Sequence, residues 1–192
     1  MSNNLSKSQI ERFSRQLVLK NIGAAGQKKV LASKILIIGM GGLGCPAAEN
    51  LTRAGVGSLG LVDNDIINLS NIHRQSLFNS KNLKKSKVGV AAKKLKDINP
   101  SVKIKTYKLR LNEKNIKNII QNYDIIIDGS DNFKTKFLVN DYCSKFEKKL
   151  VTGAISKFDG HVFTFDFKDK KTASLKSFYQ EDEISDDILN CE

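Results

Sequence analysis

The chain has 192 residues, of which 40% are hydrophobic and 27% charged, a composition typical of a globular domain with a hydrophobic core. No apolar run approaches the ~20 residues that a membrane-spanning helix needs, and the polar N-terminus lacks a signal-peptide core. We therefore expect a cytoplasmic protein without membrane contact. The net charge of +12 comes mostly from dispersed lysines without an Arg/aromatic cluster, which argues against nucleic-acid binding. Such lysines indicate either a general compositional bias or a field that favours an anionic nucleotide or acidic partner.

Amphipathic and apolar stretches alternate along the chain. An N-terminal helical arm is predicted over 6–22, with Ile10, Phe13 and Leu17 on its apolar face. Strands are predicted at 34–38, 58–62, 102–109, 123–128, 150–153 and 161–167, and helices at 45–54, 86–98, 113–121 and 132–146. This order predicts an α/β fold, a Rossmann-like, doubly wound and mostly parallel sheet with flanking helices. The last strand is expected to be antiparallel, because no helix precedes it.

No internal repeat or low-complexity linker divides the sequence, so residues 1–192 are predicted to form a single domain. Residues 168–192 are predicted to be a loop or tail, since 181–192 contain six Asp/Glu and no Lys or Arg. The cysteines Cys45, Cys143 and Cys191 are far apart and odd in number, which argues against a disulfide framework. Cys45 and Cys143 are expected to be buried helix residues.

A glycine-rich motif directly follows the first predicted strand and begins a helix. Residues 39–44 (GMGGLG) fit the pattern G-x-G-x-x-G, in which glycines let the backbone approach phosphate and the helix N-terminus offers free N–H groups. Asp63 follows the second strand, at the spacing of an acid that binds a ribose hydroxyl, or else serves as a strand-end cap. The motif predicts nucleotide binding but does not choose between NAD and ATP.

Polar side chains also follow the later strands of the predicted sheet. Since the carboxyl ends of parallel strands share one edge, we expect these side chains on the ligand side: Asp65, Asn71, Arg74, Gln75, Lys87 and Asp131. Arg and Lys can neutralise a triphosphate, and Asp can hold Mg²⁺. The set suits attack on a phosphate and offers no evident proton shuttle for hydride transfer.

Taken together, these motifs resemble the ThiF/MoeB/HesA adenylating enzymes, relatives of the ubiquitin-activating enzymes. The resemblance covers about residues 8–165 and follows the family's order: 12–16, 39–45, 54–57, 62–65, 69–75, 87–88, 98–100, 128–132 and 150–154. It implies an ATP-dependent adenylyltransferase that activates the C-terminal glycine carboxylate of a small β-grasp sulfur-carrier protein ending in Gly-Gly, as in thiamine or molybdopterin biosynthesis. The carboxylate would attack the α-phosphate, release pyrophosphate and leave an acyl-adenylate.

The resemblance also implies roles for individual residues. The phosphates would lie against Gly39, Gly41, Gly42 and Gly44, and the ribose against Asp63. Contacts to the triphosphate would come from Asn71, Arg74 and Lys87, with Asp65 and Gln75 nearby and Mg²⁺ on Asp131. Arg15 would reach the nucleotide of the partner subunit, which implies a homodimer. The alternatives are a surface lysine at Lys87, a helix-face charge at Arg15, and a helix N-cap at Asn132.

The C-terminal part departs from the family pattern. Serines in 173–178 stand where zinc-binding thiolates are expected, so no structural zinc is predicted. Cys191 resembles a family thiol nucleophile but is alternatively an incidental exposed thiol. The chain stops where relatives continue, which indicates truncation relative to the family. A truncated, non-catalytic nucleotide- or partner-binding relative therefore stays open, as do an NAD-dependent oxidoreductase and a relative that dehydrates a threonylcarbamoyl group on tRNA.

Overall fold

The computed structural model describes residues 4–179. Seven α-helices are found in this range: α1 (Lys7–Arg12), α2 (Ser14–Leu17), α3 (Gly23–Ala32), α4 (Gly44–Ala54), α5 (Lys87–Ile98), α6 (Ile116–Ile120) and α7 (Phe133–Lys145). The strands are β1 (Lys34–Ile38), β2 (Ser58–Val62), β3 (Lys103–Tyr107), β4 (Ile125–Asp128), β5 (Lys149–Ser156) and β6 (Asp159–Asp166). Short 3₁₀ helices occupy Leu69–Asn71, Ser80–Asn82 and Leu175–Ser177.

The six strands form one sheet in the order β3-β2-β1-β4-β5-β6. Strands β1 to β5 pair in parallel, and β6 pairs antiparallel with β5, so the predicted doubly wound, mostly parallel sheet is confirmed. The strand order reverses between β1 and β4, where the register places Ile38 beside both Val62 and Asp128. All three strands therefore end at one edge of the sheet, where ligands bind in folds of this class.

Each face of the sheet carries its own hydrophobic core. On one face α4 and α5 cover the central strands, with Ile37, Leu61 and Ala91 fully buried. On the other face α6, α7 and the 3₁₀ helix at 175–177 pack over Leu36 and Ile126. Burial on both faces explains why β1 is a continuous apolar run rather than an alternating one.

The N-terminal arm differs from the prediction. A single helix over 6–22 is wrong, because the helix breaks at Phe13, and α3 was not predicted. The Phe13 side chain is only 2% exposed and lies against Gly55, where an added Cβ would be 2.5 Å from Phe13 Cζ. Ile10, expected on the same apolar face, is 49% exposed. The arm is attached not by a long apolar stripe but by buried Phe13 and by hydrogen bonds from Arg12 to Ile98 O and from Gln16 to Ala54 O.

The segment predicted as a loop or tail is described only to residue 179. Within 168–179 the chain is irregular apart from the 3₁₀ helix at 175–177, and Leu175 is buried against α7, where its N–H donates to Asn140 Oδ1 at 3.0 Å. Among residues 4–179 no helix is long and apolar enough to cross a bilayer.

Candidate nucleotide-binding site

A cavity of about 610 Å³ opens at the carboxyl edge of the sheet, above the point where the strand order reverses between β1 and β4. The structure brings together most of the residues predicted from sequence, since its lining includes Gly39, Gly41, Gly42, Asp63, Asp65, Asn71, Arg74, Gln75, Lys87 and Asp131. These residues come from five separate segments of the chain, so the cavity exists only in the folded sheet.

The loop between β1 and α4 forms the floor of the cavity. Gly39 has φ +84°, and an added Cβ there would lie 2.7 Å from the carbonyl oxygen of Gly129. Gly44 is buried at the first position of α4 and is not among the residues that line the cavity. An added Cβ at Gly44 would collide with the carbonyl oxygen of Gly39. Gly44 thus allows close packing of the helix on the loop, whereas Gly41 and Gly42 face the cavity.

Backbone donors in this loop are free to bind an anion. Among the described residues, no protein acceptor takes a hydrogen bond from the N–H groups of Gly41, Gly42 or Leu43. Helix α4 is 11 residues long, and Leu43 caps it without a side-chain hydrogen bond. Unsatisfied amides and the positive end of the helix dipole favour a phosphate at this position.

Asp63 follows β2 and is held by two backbone donors. Its Oδ2 accepts from Met40 N at 2.7 Å and its Oδ1 accepts from Asp65 N at 2.7 Å. Burial raises the pKa of Asp63 above its ordinary value, and the two amides and nearby Lys87 oppose that rise. Asp63 therefore fixes the loop on one side, and it also lines the cavity.

The two basic side chains of the cavity are held differently. Lys87 begins α5, and its Nζ lies 2.9 Å from Asp65 Oδ2, with only 8% of its side chain exposed against 56% for Asp65. Arg74 is exposed, donates from Nη1 to Ser70 O at 2.9 Å, and lies over Gly42. Both cations thus face the space next to the free loop amides, which suits a polyphosphate.

Gln75 brings a buried amide to the cavity. Its side chain is 3% exposed, and Oε1 has no hydrogen-bond partner within the protein. Neighbouring Asn71 uses its Oδ1 to accept from Asn68 N at 3.1 Å. A buried amide oxygen without a partner is unusual in a folded protein, and this oxygen is closed to solvent although the Gln75 residue lines the cavity.

The turn after β4 forms the opposite wall. Asp131 is exposed there, and its Oδ1 accepts from Asn132 Nδ2 at 3.3 Å. The Asn132 side chain accepts from Thr135 N at 2.9 Å, so Asn132 is the N-cap of α7, as one alternative predicted. Exposed carboxylate oxygen is the ligand type that Mg²⁺ prefers, so the Asp131 carboxylate fits a metal ion bound to phosphate.

Three further sequence predictions lie away from the cavity or beyond the described chain. Arg15 is exposed on α2 and does not line the cavity. Cys191 lies outside the described residues. Cys45 and Cys143 are fully buried in α4 and α7, as predicted, and burial raises the pKa of Cys45 to about 12. Within 4–179 no group of three or more His, Cys, Asp or Glu side chains is arranged to hold a metal.

Sequence analysis missed two charged residues near the site. Arg110 lines the cavity just beyond β3, and applying the strand-end rule to β3 would have found it. Lys136 is 3% exposed and makes a salt bridge of 3.1 Å to buried Asp128. The sequence signal for Lys136 is weak, because a lysine in the middle of a helix is usually at the surface.

Comparison with curated proteins finds close relatives over most of the chain. It is 44% identical over 163 residues to the adenylyltransferase and sulfurtransferase MOCS3 of Drosophila willistoni, covering 85% of this chain and 36% of that protein. It is 40% identical over 160 residues to the sulfur carrier protein adenylyltransferase of Thermus thermophilus, covering 83% and 59%. The chain therefore spans between 36% and 59% of these two relatives.

Solved structures share the fold. An E. coli tRNA N6-threonylcarbamoyladenosine dehydratase in complex with ATP has a TM-score of 0.75 at 27% identity, covering 80% of this chain and 64% of that one. PaaA has a TM-score of 0.80 at 22% identity, covering 92% and 57%, and shows the fold alone. The ThiF family model matches residues 13–192, which is nearly the whole chain. This protein belongs to the ThiF family.

Proposed function

We propose that this chain adenylates the C-terminal glycine carboxylate of a small β-grasp sulfur-carrier protein that ends in Gly-Gly. One observation carries the proposal: a single cavity combines the unsatisfied amides of 41–43, the cations Arg74 and Lys87, and the carboxylate of Asp131. The names of relatives at 40–44% identity, among them a sulfur carrier protein adenylyltransferase and a probable molybdopterin-synthase adenylyltransferase, support the same reaction.

The residues of the cavity fit MgATP as the nucleotide substrate. The free loop amides and the N-terminus of α4 would hold phosphate oxygens, and Asp63 would accept from the ribose. Mg²⁺ held by Asp131 would add positive charge beside the leaving pyrophosphate.

The chemistry then requires positioning and charge neutralisation rather than a protein nucleophile. The carrier carboxylate is already ionised at neutral pH, so no general base is needed. Its attack on the α-phosphate breaks the bond to pyrophosphate and forms an acyl-adenylate. Arg74 and Lys87 would stabilise the charge that develops on the phosphate oxygens, and the cavity would hold the two reactants in line.

A homodimer and a cytoplasmic location complete the proposal. Arg15 lies on the exposed α2 and outside the cavity of its own chain, so it would act on the nucleotide of a second copy. Its neighbours Val18 and Leu19 are 77% and 51% exposed, which supports burial of this arm against a partner.

Carrier-dependent ATP–pyrophosphate exchange tests the reaction. With a β-grasp carrier present, labelled pyrophosphate should enter ATP, and the mass of the carrier should increase by one AMP. The matched control is the same carrier without its terminal glycine. No exchange and no mass change with carriers of either the thiamine or the molybdopterin type would contradict the proposal.

A nucleotide-binding relative without turnover is the second candidate. It is favoured by the free amides of 41–43 and the cations Arg74 and Lys87, which suit nucleotide binding whether or not a carrier is present. This candidate predicts that calorimetry detects ATP binding while no acyl-AMP forms. Detection of acyl-AMP on any carrier would eliminate it.

A further inference from the structure

A buried polar network lies beneath the wall that carries Asp131. Asp128, the last residue of β4, accepts four hydrogen bonds. Its Oδ1 accepts from the backbone N and the Oγ of Ser130 at 3.0 and 2.6 Å. Its Oδ2 accepts from Thr152 Oγ1 at 2.7 Å and from Lys136 Nζ at 3.1 Å. Both oxygens of one carboxylate are thus fully used.

Lys136 connects this carboxylate to the neighbouring strand. Its Nζ also donates to the carbonyl oxygen of Gly153 at 2.6 Å. The exposed fractions of Asp128, Lys136 and Thr152 are 1%, 3% and 3%. Strands β4 and β5 are already paired through their backbones at Asp128 and Thr152, so the sheet does not need this network for its register. A buried ion pair is weak evidence for stability and better evidence for a specified geometry.

The geometry that the network specifies is the turn at 129–131. Two of the four bonds to Asp128 come from Ser130, the residue directly before Asp131. On its other side the turn contacts the phosphate loop: an added Cβ at Gly129 would lie 3.2 Å from Leu43 Cβ. Asp128 therefore holds the turn on one side, and the phosphate loop contacts it on the other. The backbone that carries Asp131 thus has a fixed place relative to the phosphate loop.

We propose that Lys136 is a positioning residue, which acts through Asp128 and Ser130 to hold the Asp131 carboxylate where it meets metal-bound phosphate. This inference rests on the proposed function only in taking Asp131 as the magnesium ligand. Lys136 itself does not line the cavity and touches no substrate. Loss of its ammonium should loosen the turn and weaken the metal-dependent part of ATP binding, while the glycine loop keeps its own affinity for phosphate.

The test separates metal-dependent from metal-independent binding. Calorimetry gives the Kd of ATP with Mg²⁺ and with EDTA for the wild type, Lys136→Met and Lys136→Arg. For Lys136→Met we expect the enhancement of affinity by Mg²⁺ to fall at least about fivefold, with the Kd in EDTA within about twofold of wild type. Lys136→Arg should recover most of the enhancement, because it keeps a buried cation beside Asp128.

Hydrogen exchange supplies a second readout that does not depend on metal or activity. The peptide that contains Ser130 should lose protection in Lys136→Met without ligand. The matched control is Lys148→Met: Lys148 also donates to backbone carbonyls, those of Gln121 and Tyr123, but does not line the cavity. That control should leave both the Mg²⁺ enhancement and the protection of the turn unchanged.

The possible results distinguish a failure of the role assigned to Lys136 from a failure of the proposed reaction. A folded Lys136→Met with wild-type Mg²⁺ enhancement overturns the inference. If that variant does not fold, Thr152→Val decides, since it removes one bond to Asp128 and keeps the ion pair. A smaller loss in the same direction supports the inference, and no change overturns it. If the wild-type protein binds MgATP but adenylates no carrier, only the proposed reaction is contradicted. If Mg²⁺ does not change the affinity of the wild type for ATP, the role of Lys136 is contradicted as well.

Discussion

Two lysine–aspartate pairs lie on opposite sides of the cavity, and they differ mainly in their access to solvent. Lys87 and Asp65 are 2.9 Å apart, and 56% of the aspartate side chain is exposed. Lys136 and Asp128 are 3.1 Å apart, with 3% and 1% of their side chains exposed. Both residues of the first pair line the cavity, whereas neither residue of the second pair does.

Because of this difference, Lys87 can contact a ligand directly, whereas Lys136 can act only through the buried groups that it contacts. Lys87 is itself buried, but solvent reaches Asp65 and partly screens the pair, so Asp65 can lose its partner when Lys87 turns toward an anion. Breaking the Lys136–Asp128 pair leaves a buried carboxylate without its cation, which is strongly unfavourable. Mutation of Lys87 should therefore affect mainly catalysis, whereas mutation of Lys136 should affect stability as well as the Mg²⁺-dependent part of ATP binding.

The largest expected effect is on the buried pair. Lys136→Met should lower the free energy of unfolding by about 3–5 kcal/mol, since Asp128 stays buried without its partner. Urea unfolding followed by circular dichroism measures the change, and the conservative Lys136→Arg is the matched control. A decrease below about 1 kcal/mol would remove the contrast between the pairs, because exposed pairs contribute that much.

The Lys87–Asp65 pair should show a large loss of activity and a small loss of stability. Lys87→Met should reduce carrier-dependent pyrophosphate exchange about 10²–10³-fold, the usual loss for one group that stabilises charge in the transition state. Its free energy of unfolding should change by no more than about 1 kcal/mol, because Asp65, which loses its partner, is 56% exposed. Exchange assays and urea unfolding on the same preparation test both parts. Wild-type exchange in this variant would show that Lys87 serves only Asp65.

Two glycines of the phosphate loop, Gly44 and Gly42, should also differ in their tolerance of a side chain. Gly44→Ala should destabilise the protein by about 1–3 kcal/mol, because its Cβ would collide with the carbonyl of Gly39. Gly42→Ala is the matched control, since its Cβ would meet Arg74 at 3.6 Å, an ordinary contact. Differential scanning calorimetry should show a lower Tm for the first variant only. Equal Tm values would mean that the loop moves to accept a methyl group.

The smallest expected effect concerns pH. Burial raises the pKa of Asp63, so on acidification its carboxylate takes a proton at a higher pH than an ordinary aspartate. ATP affinity should then fall as pH decreases through that raised pKa, because the acid form loses an acceptor site. Stability has the opposite sign: the folded state binds more protons there, so protonation of Asp63 favours folding. Asp63→Asn should lack both effects in calorimetric titrations over this pH range.

The sequence predicted the parts of the molecule that depend on local pattern. Apolar runs gave the strands and their order, and glycine spacing gave a loop whose amides are free, because both follow from the backbone of a few adjacent residues. Arg74 and Asp131 were found because parallel strands end at one edge. Arg110 directly follows the predicted third strand, and β3 itself ends at Tyr107, so the same rule would have found Arg110 had it been applied to this strand.

Other features depend on packing between distant segments and left little trace in the sequence. The helix break at Phe13 follows from a close contact with Gly55, 42 positions along the chain, and the glycines of α3 hid that helix. Lys136 looks like a surface lysine on α7 because the burial of Asp128 is known only once the sheet is formed. A buried ion pair such as Lys136–Asp128 can therefore be identified only from a structure.

Gln75 has a consequence for the coupling of folding to ligand. Its Oε1 is buried without a protein partner, and such an atom typically destabilises a fold by about 1–3 kcal/mol. A ligand that binds only the folded chain adds to its stability, roughly in proportion to the logarithm of the ligand concentration. Nucleotide bound in the cleft, whose wall includes Gln75, would thereby raise the free energy of unfolding and offset part of the cost of that buried oxygen.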